Sequence, residues 1–388
     1  MSIALRFHHL PTLLAAITAL GSLLALAGTA IWQRWLPAAL WHIVFAVGAM
    51  PLILSAIGYF TPVLTRTTEA PRALAILPLT AMVAGLSIVA WFVIGYEPLR
   101  HLAPWLAFAA VIGLTVWMHG RRHDCLGTPH ACLKWYSAAL FCLALGLIAI
   151  GAAASPSDYG QALRRFHLHI NTLGFMGLTA LGTLQVLLPT VLGKPDPAAP
   201  KRLARDLPWS LCGALGIATG AAVAGQTGSI VAALGALAYG WRLLRLALDI
   251  HRVFGKQLWA PHQAAPLLLA AMTGLALTLL HGLAHGAGIG RAREVLFLFL
   301  IGFLLPLVSG AVSQLLPVWL RPGAQADWHR GQRRHLAAFA RLRAAMLLCG
   351  GILAAAGIEA GYLIGMIGAL WLITAMALAV IRELRSPG

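Results

Sequence analysis

The sequence predicts an all-α polytopic membrane protein with twelve transmembrane helices, and three observations predict it. Sixty per cent of the 388 residues are hydrophobic and 10% are charged, with a mean hydropathy of +0.82, against roughly 25% charged in a soluble domain. Apolar runs long enough to cross a bilayer, about 20 residues each, follow one another along the chain. The basic residues fall between those runs, mostly on alternate sides. A soluble fold of this size could not bury so much apolar surface, and the same numbers exclude disorder, collagen and a disulfide scaffold. The net charge of +17 would suggest nucleic acid in a soluble protein. Here the positive-inside rule accounts for it, and the expected partner is the lipid bilayer, with no nucleic acid.

The first run, about 10–32, is not followed by a small-residue cleavage site and a soluble domain, so it reads as a retained span. The others cover about 38–64, 72–95, 99–119, 133–153, 163–192, 206–225, 228–251, 262–288, 294–320, 335–357 and 360–382. Each should be a helix, because a backbone polar group left unpaired in lipid is too costly. Twenty-two Lys and Arg lie on the side of the N-terminus, the even-numbered loops and the C-terminus. Six lie opposite: Arg34, Arg100, Arg164, Arg165, Arg291 and Arg293. That bias places both termini in the cytoplasm. Of the five cysteines, Cys142, Cys212 and Cys349 lie inside apolar runs and read as small core residues.

The chain forms one membrane domain that repeats itself weakly, in units of about 1–130, 131–257 and 258–388. Gly174, Phe175, Gly182, Leu187, Leu188, Pro189 and Leu192 recur 128 residues on as Gly302, Phe303, Gly310, Leu315, Leu316, Pro317 and Leu320. At an offset of 127, His42 overlays His169 and Pro62 overlays Pro189. Three units of four helices give twelve spans, with spans 2, 6 and 10 as the repeated helix.

Histidine is costly in a bilayer and marks function there by default. Of the 15 histidines, His8, His9, His119, His123, His130, His251, His262, His329 and His335 fall at or near the cytoplasmic side, where solvated or interfacial side chains explain most of them. His42, His101, His167, His169, His281 and His285 fall near the outer ends of spans 2, 4, 6 and 9. His42, His167, His169 and His281 each sit about five residues into a span, roughly 7 Å deep, and so share one layer. His167 and His169 point about 200° apart on a helix. They are badly placed to chelate one ion but well placed to address two cofactors on opposite faces, and neutral imidazole is a good ligand for haem iron. The alternative is two histidines that bond neighbouring helices. His281 and His285 share a helix face, which suits a metal or a haem edge; a polar helix end near water is the other reading. Arg164 and Arg165, on the outer side of the pair, could meet haem propionates or simply snorkel.

A further cluster, His123-Asp-Cys125 and His130-Ala-Cys132 in the loop after span 4, offers two nitrogen and two sulfur donors at a spacing unlike a standard finger. No CxxCH occurs, so covalent haem is excluded, and there is no phosphate loop, dinucleotide fingerprint or HExxH. Acids within the spans are scarce, Asp249 and Glu359 being the candidates, which argues against a proton pump or ion-coupled antiporter.

The segment His167-Leu-His169-Ile-Asn-Thr-Leu-Gly174-Phe-Met-Gly177, followed by Gly182-Thr-Leu and Leu187-Leu-Pro189, resembles the haem-ligand helix of haem-copper oxidase catalytic subunits. Trp41-His42 with Gly48 and Gly58-Tyr-Phe resembles that family's second helix, which carries a low-spin haem ligand. In size, and in Leu258-Trp-Ala-Pro-His262-Gln-Ala-Ala-Pro-Leu, the chain resembles the NnrS-type proteins, compact twelve-span members of the same group associated with haem, copper and the nitric oxide response. The resemblance implies haem-copper-oxidase-like architecture and one or two b-type haems near the periplasmic face. It pairs His169 with His42 on a low-spin haem and gives His167 a high-spin one. It also implies copper as a further metal, nitric oxide or oxygen as gaseous ligand, an electron donor as partner, and a redox or gas-ligand role, with turnover as an oxidoreductase left open. The chain departs from the oxidase pattern in carrying its HxH on span 6 rather than span 10 and in lacking an adjacent histidine pair for copper. The rival readings are a multi-span transporter, for instance a metal exporter, and a non-catalytic assembly factor.

Overall fold

The computed structural model describes residues 37–153, 158–223, 225–261, 263–321, 323 and 326–385. Among these the chain is all helical, without a strand. The helices are α1 (Ala38–Thr65), α2 (Arg72–Ile94), α3 (Glu97–His123), α4 (Cys132–Ala152), α5 (Tyr159–Leu192), α6 (Ala199–Ala222), α7 (Gly225–Trp259), α8 (Ala265–Gly286), α9 (Ala292–Leu320), α10 (Ala326–Leu336), α11 (Ala340–Ala355) and α12 (Glu359–Glu383). The first apolar run lies outside the described residues, as do His8, His9, Arg34 and His262.

Nine of these helices are long and apolar enough to cross a membrane, and α10 with α11 makes a tenth if the bent pair is one span. The chain is therefore a multi-pass membrane protein by length and composition. The expected run 335–357 is broken: α10 and α11 meet at 41°, and Phe339 between them adopts a left-handed φ of 54°. Hydropathy reads straight through this break because its residues, Ala337 to Phe339, are apolar. The expected run 206–225 begins seven residues earlier, at Ala199, and ends at Ala222; every 18-residue stretch of α6 therefore includes Arg205 and Asp206, and α6 falls outside the nine.

The repeat reappears in the backbone. A π-helical segment interrupts α1 at Ile43–Ala49, α5 at Ile170–Gly177 and α9 at Leu298–Leu304. Their starts are 127 and 128 residues apart, the same offsets that align the sequence. Pro62, Pro189 and Pro317 lie inside the same three helices near their ends. α1 and α5 stop alike, on the left-handed Arg66 (φ 54°) and Gly193 (φ 62°). A π-segment inserts a residue into the i→i−4 ladder and often accompanies a functional site.

These three helices are central. Within α1, α5 and α9 the buried share of the apolar stretch is 56%, 67% and 72%, against 22% for α2 and 28% for α7. α4 packs against α1 and α5, α8 against α5 and α9, and α11 against α8 and α9. α6 and α7 lie along each other on the outside of α5 and reach α8 through α7.

Candidate functional site

His42 and His169 occupy one structural position twice. Each is the last residue before a π-segment. Each turns Nδ1 back onto the carbonyl one turn earlier: His42 to Ala38 at 2.7 Å, His169 to Arg165 at 2.8 Å. A carbonyl accepts, so Nδ1 carries the proton and Nε2 keeps a lone pair. This is the tautomer of a metal-ligating histidine, with the second nitrogen anchored on the main chain. The third equivalent position holds Phe297, whose ring packs 5.1 Å from Trp41 and 4.5 Å from Tyr362. An aromatic cluster fills the place where a third imidazole would stand.

His167 is anchored differently. Its Nδ1 lies 2.8 Å from the Gly146 carbonyl on α4, and the Asn171 side-chain amide lies 3.1 Å from the same nitrogen. Because the carbonyl fixes the proton on Nδ1, the amide oxygen of Asn171 is the end that belongs against the ring. Gly146 makes this possible, since a Cβ there would meet the Asn171 amide at 2.6 Å. The ring of His42 also packs 5.0 Å from Phe92 on α2.

His281 and His285 stand at the end of α8. The His281 Nε2 is buried and has no hydrogen-bond partner among the described residues. His285 Nδ1 lies 3.2 Å from the Gly290 carbonyl. Glu294, in the next helix, caps the Arg291 amide at 2.8 Å, and it approaches Gly290 on the same side as His281. Arg164 and Arg165 are exposed; Arg165 reaches the Ala222 carbonyl at 3.5 Å. His101 is exposed as well.

The HxC loop does not bring three of its four donors together among the described residues. Cys132 is fully buried at the start of α4, and His130 Nδ1 accepts the Cys132 amide at 3.2 Å. Burial and the nearby Arg66 hold the His130 pKa below its ordinary value, which keeps the ring neutral for that bond. No three His, Cys, Asp or Glu side chains among the described residues converge as a preformed metal site.

Two features escaped the sequence reading. One is a half-enclosed apolar cavity of about 1120 Å³, mouth included, between the three repeated helices. Its wall runs from Val44 to Phe60 on α1, from Met176 to Leu187 on α5, and from Leu300 to Trp319 on α9, on the order of 24 Å along the axis. The other is a set of buried ion pairs. Arg202 on α6 binds Asp196 at 2.7 Å and the Gln185 side-chain oxygen at 2.9 Å. Asp206 meets Arg205 at 2.7 Å and Arg242 at 3.5 Å. Arg202 and Asp206 are only 5% and 2% exposed. Their i, i+4 spacing suggests a pair between the two, but each takes other partners, Arg202 with Asp196 and Asp206 with Arg205 and Arg242.

Comparison with known proteins finds no family model and no curated protein that matches the chain.

Proposed function

We propose that the chain is a haem-binding protein of the bacterial inner membrane, with twelve spans in three four-helix units and the architecture of haem-copper oxidases and NnrS-type proteins. The observation that carries this reading is the matched pair of anchored imidazoles, His42 and His169, each set at the start of a π-segment with Nε2 left as the donor atom. Two neutral imidazoles repeated in register are the donor chemistry that haem iron takes. Bound haem b would supply a one-electron couple and, at an open position, a site for nitric oxide or oxygen.

The chain's own residues divide the remaining work. His42 and His169 would hold haem iron through Nε2. His167 is the further candidate on the other side of α5, positioned by Gly146 and Asn171. Arg164 and Arg165, exposed at the same end, suit propionate carboxylates. The buried Nε2 of half-buried His281, unpartnered among the described residues, with His285 one turn away, is the donor set a copper ion would use. The wall of the central cavity is mostly apolar, with Tyr136, Thr179, Thr183 and Met176 its few donor-bearing residues and no His, Cys, Asp or Glu, which weighs against the metal-export alternative.

The test is the visible absorption spectrum of the purified protein from haem-replete expression. Sharp bands on reduction are expected; a colourless protein overturns the reading. Orientation is tested separately. With both termini cytoplasmic, reporter fusions after Gly388 and near Ser157 report opposite sides of the membrane. The same side for both would undo the assignment of the histidines to the periplasmic end.

A further inference from the structure

A cleft between the ends of α6 and α7 is walled by Lys201, Arg202, Arg205 and Arg252, with Asp249 the sole acid among its lining residues. The groups around it do not balance. Asp196 is taken by Arg202, Asp206 by Arg205 and Arg242, and Asp249 by Arg205 at 3.5 Å and Arg252 at 3.8 Å. Five cations, Lys201 included, face three carboxylates. Lys194, whose ammonium donates to the Val253 carbonyl at 2.9 Å, adds a sixth beside the rim. The surplus charge lies outermost, where Lys201 is exposed and the Arg252 side chain is 69% exposed.

The surroundings fix the level of the cleft in the membrane. Trp209 and Trp241, 54% and 53% exposed, carry Arg242 and Arg245 over their rings at 5.2 and 5.8 Å. Exposed tryptophans mark the lipid headgroup layer. Trp209 follows Arg205 by one helical turn, about 6 Å, and Trp241 precedes Asp249 by about 12 Å. The cations therefore stand just outside the aromatic belt, at phosphate depth. Leu244 and Leu248, both exposed, lie between Trp241 and the cleft on α7.

We propose that this cleft seats the phosphate of an anionic phospholipid, with its acyl chains along Leu244, Leu248 and Trp241. A zwitterionic headgroup brings its own cation and gains little from the surplus charge, whereas an anionic one neutralises it. The proposal rests on the chain spanning a membrane and is independent of haem.

The full chain in neutral detergent is titrated with phosphatidylglycerol and with phosphatidylcholine of the same acyl chains, and bound lipid is counted by native mass spectrometry. Phosphatidylglycerol should bind more tightly, and Lys201→Gln with Arg252→Gln should weaken it about 25-fold, at about fivefold per basic residue. Both side chains are exposed, so the variant should elute as the parent does. Raising salt from 0.1 to 1 M should shrink the preference of the unaltered chain, a result that needs no variant. Equal affinity for the two lipids overturns the proposal. So does an equal loss from Arg121→Gln with Arg122→Gln, which would make the attraction generic. Inorganic phosphate binding as tightly as the lipid would overturn the assignment to a lipid.

Discussion

His169→Ala and His42→Ala should each abolish the same low-spin haem signal if, as proposed, the two imidazoles serve one iron. Each ring is a neutral donor whose tautomer is set by a carbonyl on its own helix, Arg165 O and Ala38 O. Removing the ring therefore deletes the ligand without unpicking a contact between helices. The low-spin state needs both axial nitrogens, so loss of one leaves a five-coordinate iron or an empty site. His167→Ala should spare the low-spin bands and remove gas binding. It should also loosen the α4–α5 contact, because Gly146 O loses its donor. His329 is the control: it is buried and bonded through Nε2 to Arg321 O at 2.7 Å, so its nitrogen is engaged and its replacement should leave the spectrum alone. The measurement is the reduced-minus-oxidised spectrum, with haem content per chain. If His42→Ala leaves it intact while His281→Ala destroys it, α8 supplies the partner.

Much of the fold was legible because lipid leaves the chain few choices. A long apolar run must be a helix, and α1 to α5, α7 to α9 and α12 each fall close to an expected run. What hydropathy could not read was geometry inside a run. It passes over the kink at Phe339. It also passes over the π-segments, since one inserted residue changes the ladder without changing composition. The repeat offsets did carry that information: His42 and His169 align in sequence and prove to hold the same place before a π-segment. Extending the offset to Phe297 would have shown that the third unit replaces the histidine with an aromatic cluster.

The candidate histidines were legible as a residue type but not in their partners. Gly146 O lies on another helix and Gly290 O in the turn after α8, and no spacing rule announces either; Asn171, four residues after His167 on the same helix, was the partner that spacing could have found. The buried ions were missed for a different reason. Lys201, Arg202 and Arg205 read as loop residues that set topology, and Asp206 as the start of a span. The added helical turn from Ala199 buries Arg202 and Asp206 instead. A buried pair is held in place by the cost of breaking it rather than by its net gain, so these residues act as a clasp between α6 and its neighbours α5 and α7.

The α8–α9–α11 contact carries the largest expected loss of stability. Gly274 on α8 sits directly on the main chain of Gly302 in the third π-segment: a Cβ at Gly274 would lie 1.9 Å from the Gly302 oxygen and 2.3 Å from its carbonyl carbon. Gly351 on α11 presses on the same residue from another helix, its Cβ position 2.8 Å from the Gly302 Cα and N. Small residues let membrane helices meet backbone to backbone, and here the obstacle is main chain held from two directions, with no flexible side chain to swing aside. Overpacking a well-packed core costs about 1–3 kcal/mol and occasionally more; Gly274→Val, facing backbone, should cost about 3 kcal/mol or more and shift the π-segment that positions the third unit. Gly240 on α7 has nothing within 4 Å of its Cβ position, so Gly240→Ala should be neutral or stabilise by about 0.5–1 kcal/mol through the better helix former. Thermal unfolding in detergent separates the two. A melting temperature for Gly274→Val equal to that of Gly240→Ala would mean that α8 and α9 do not meet at these glycines.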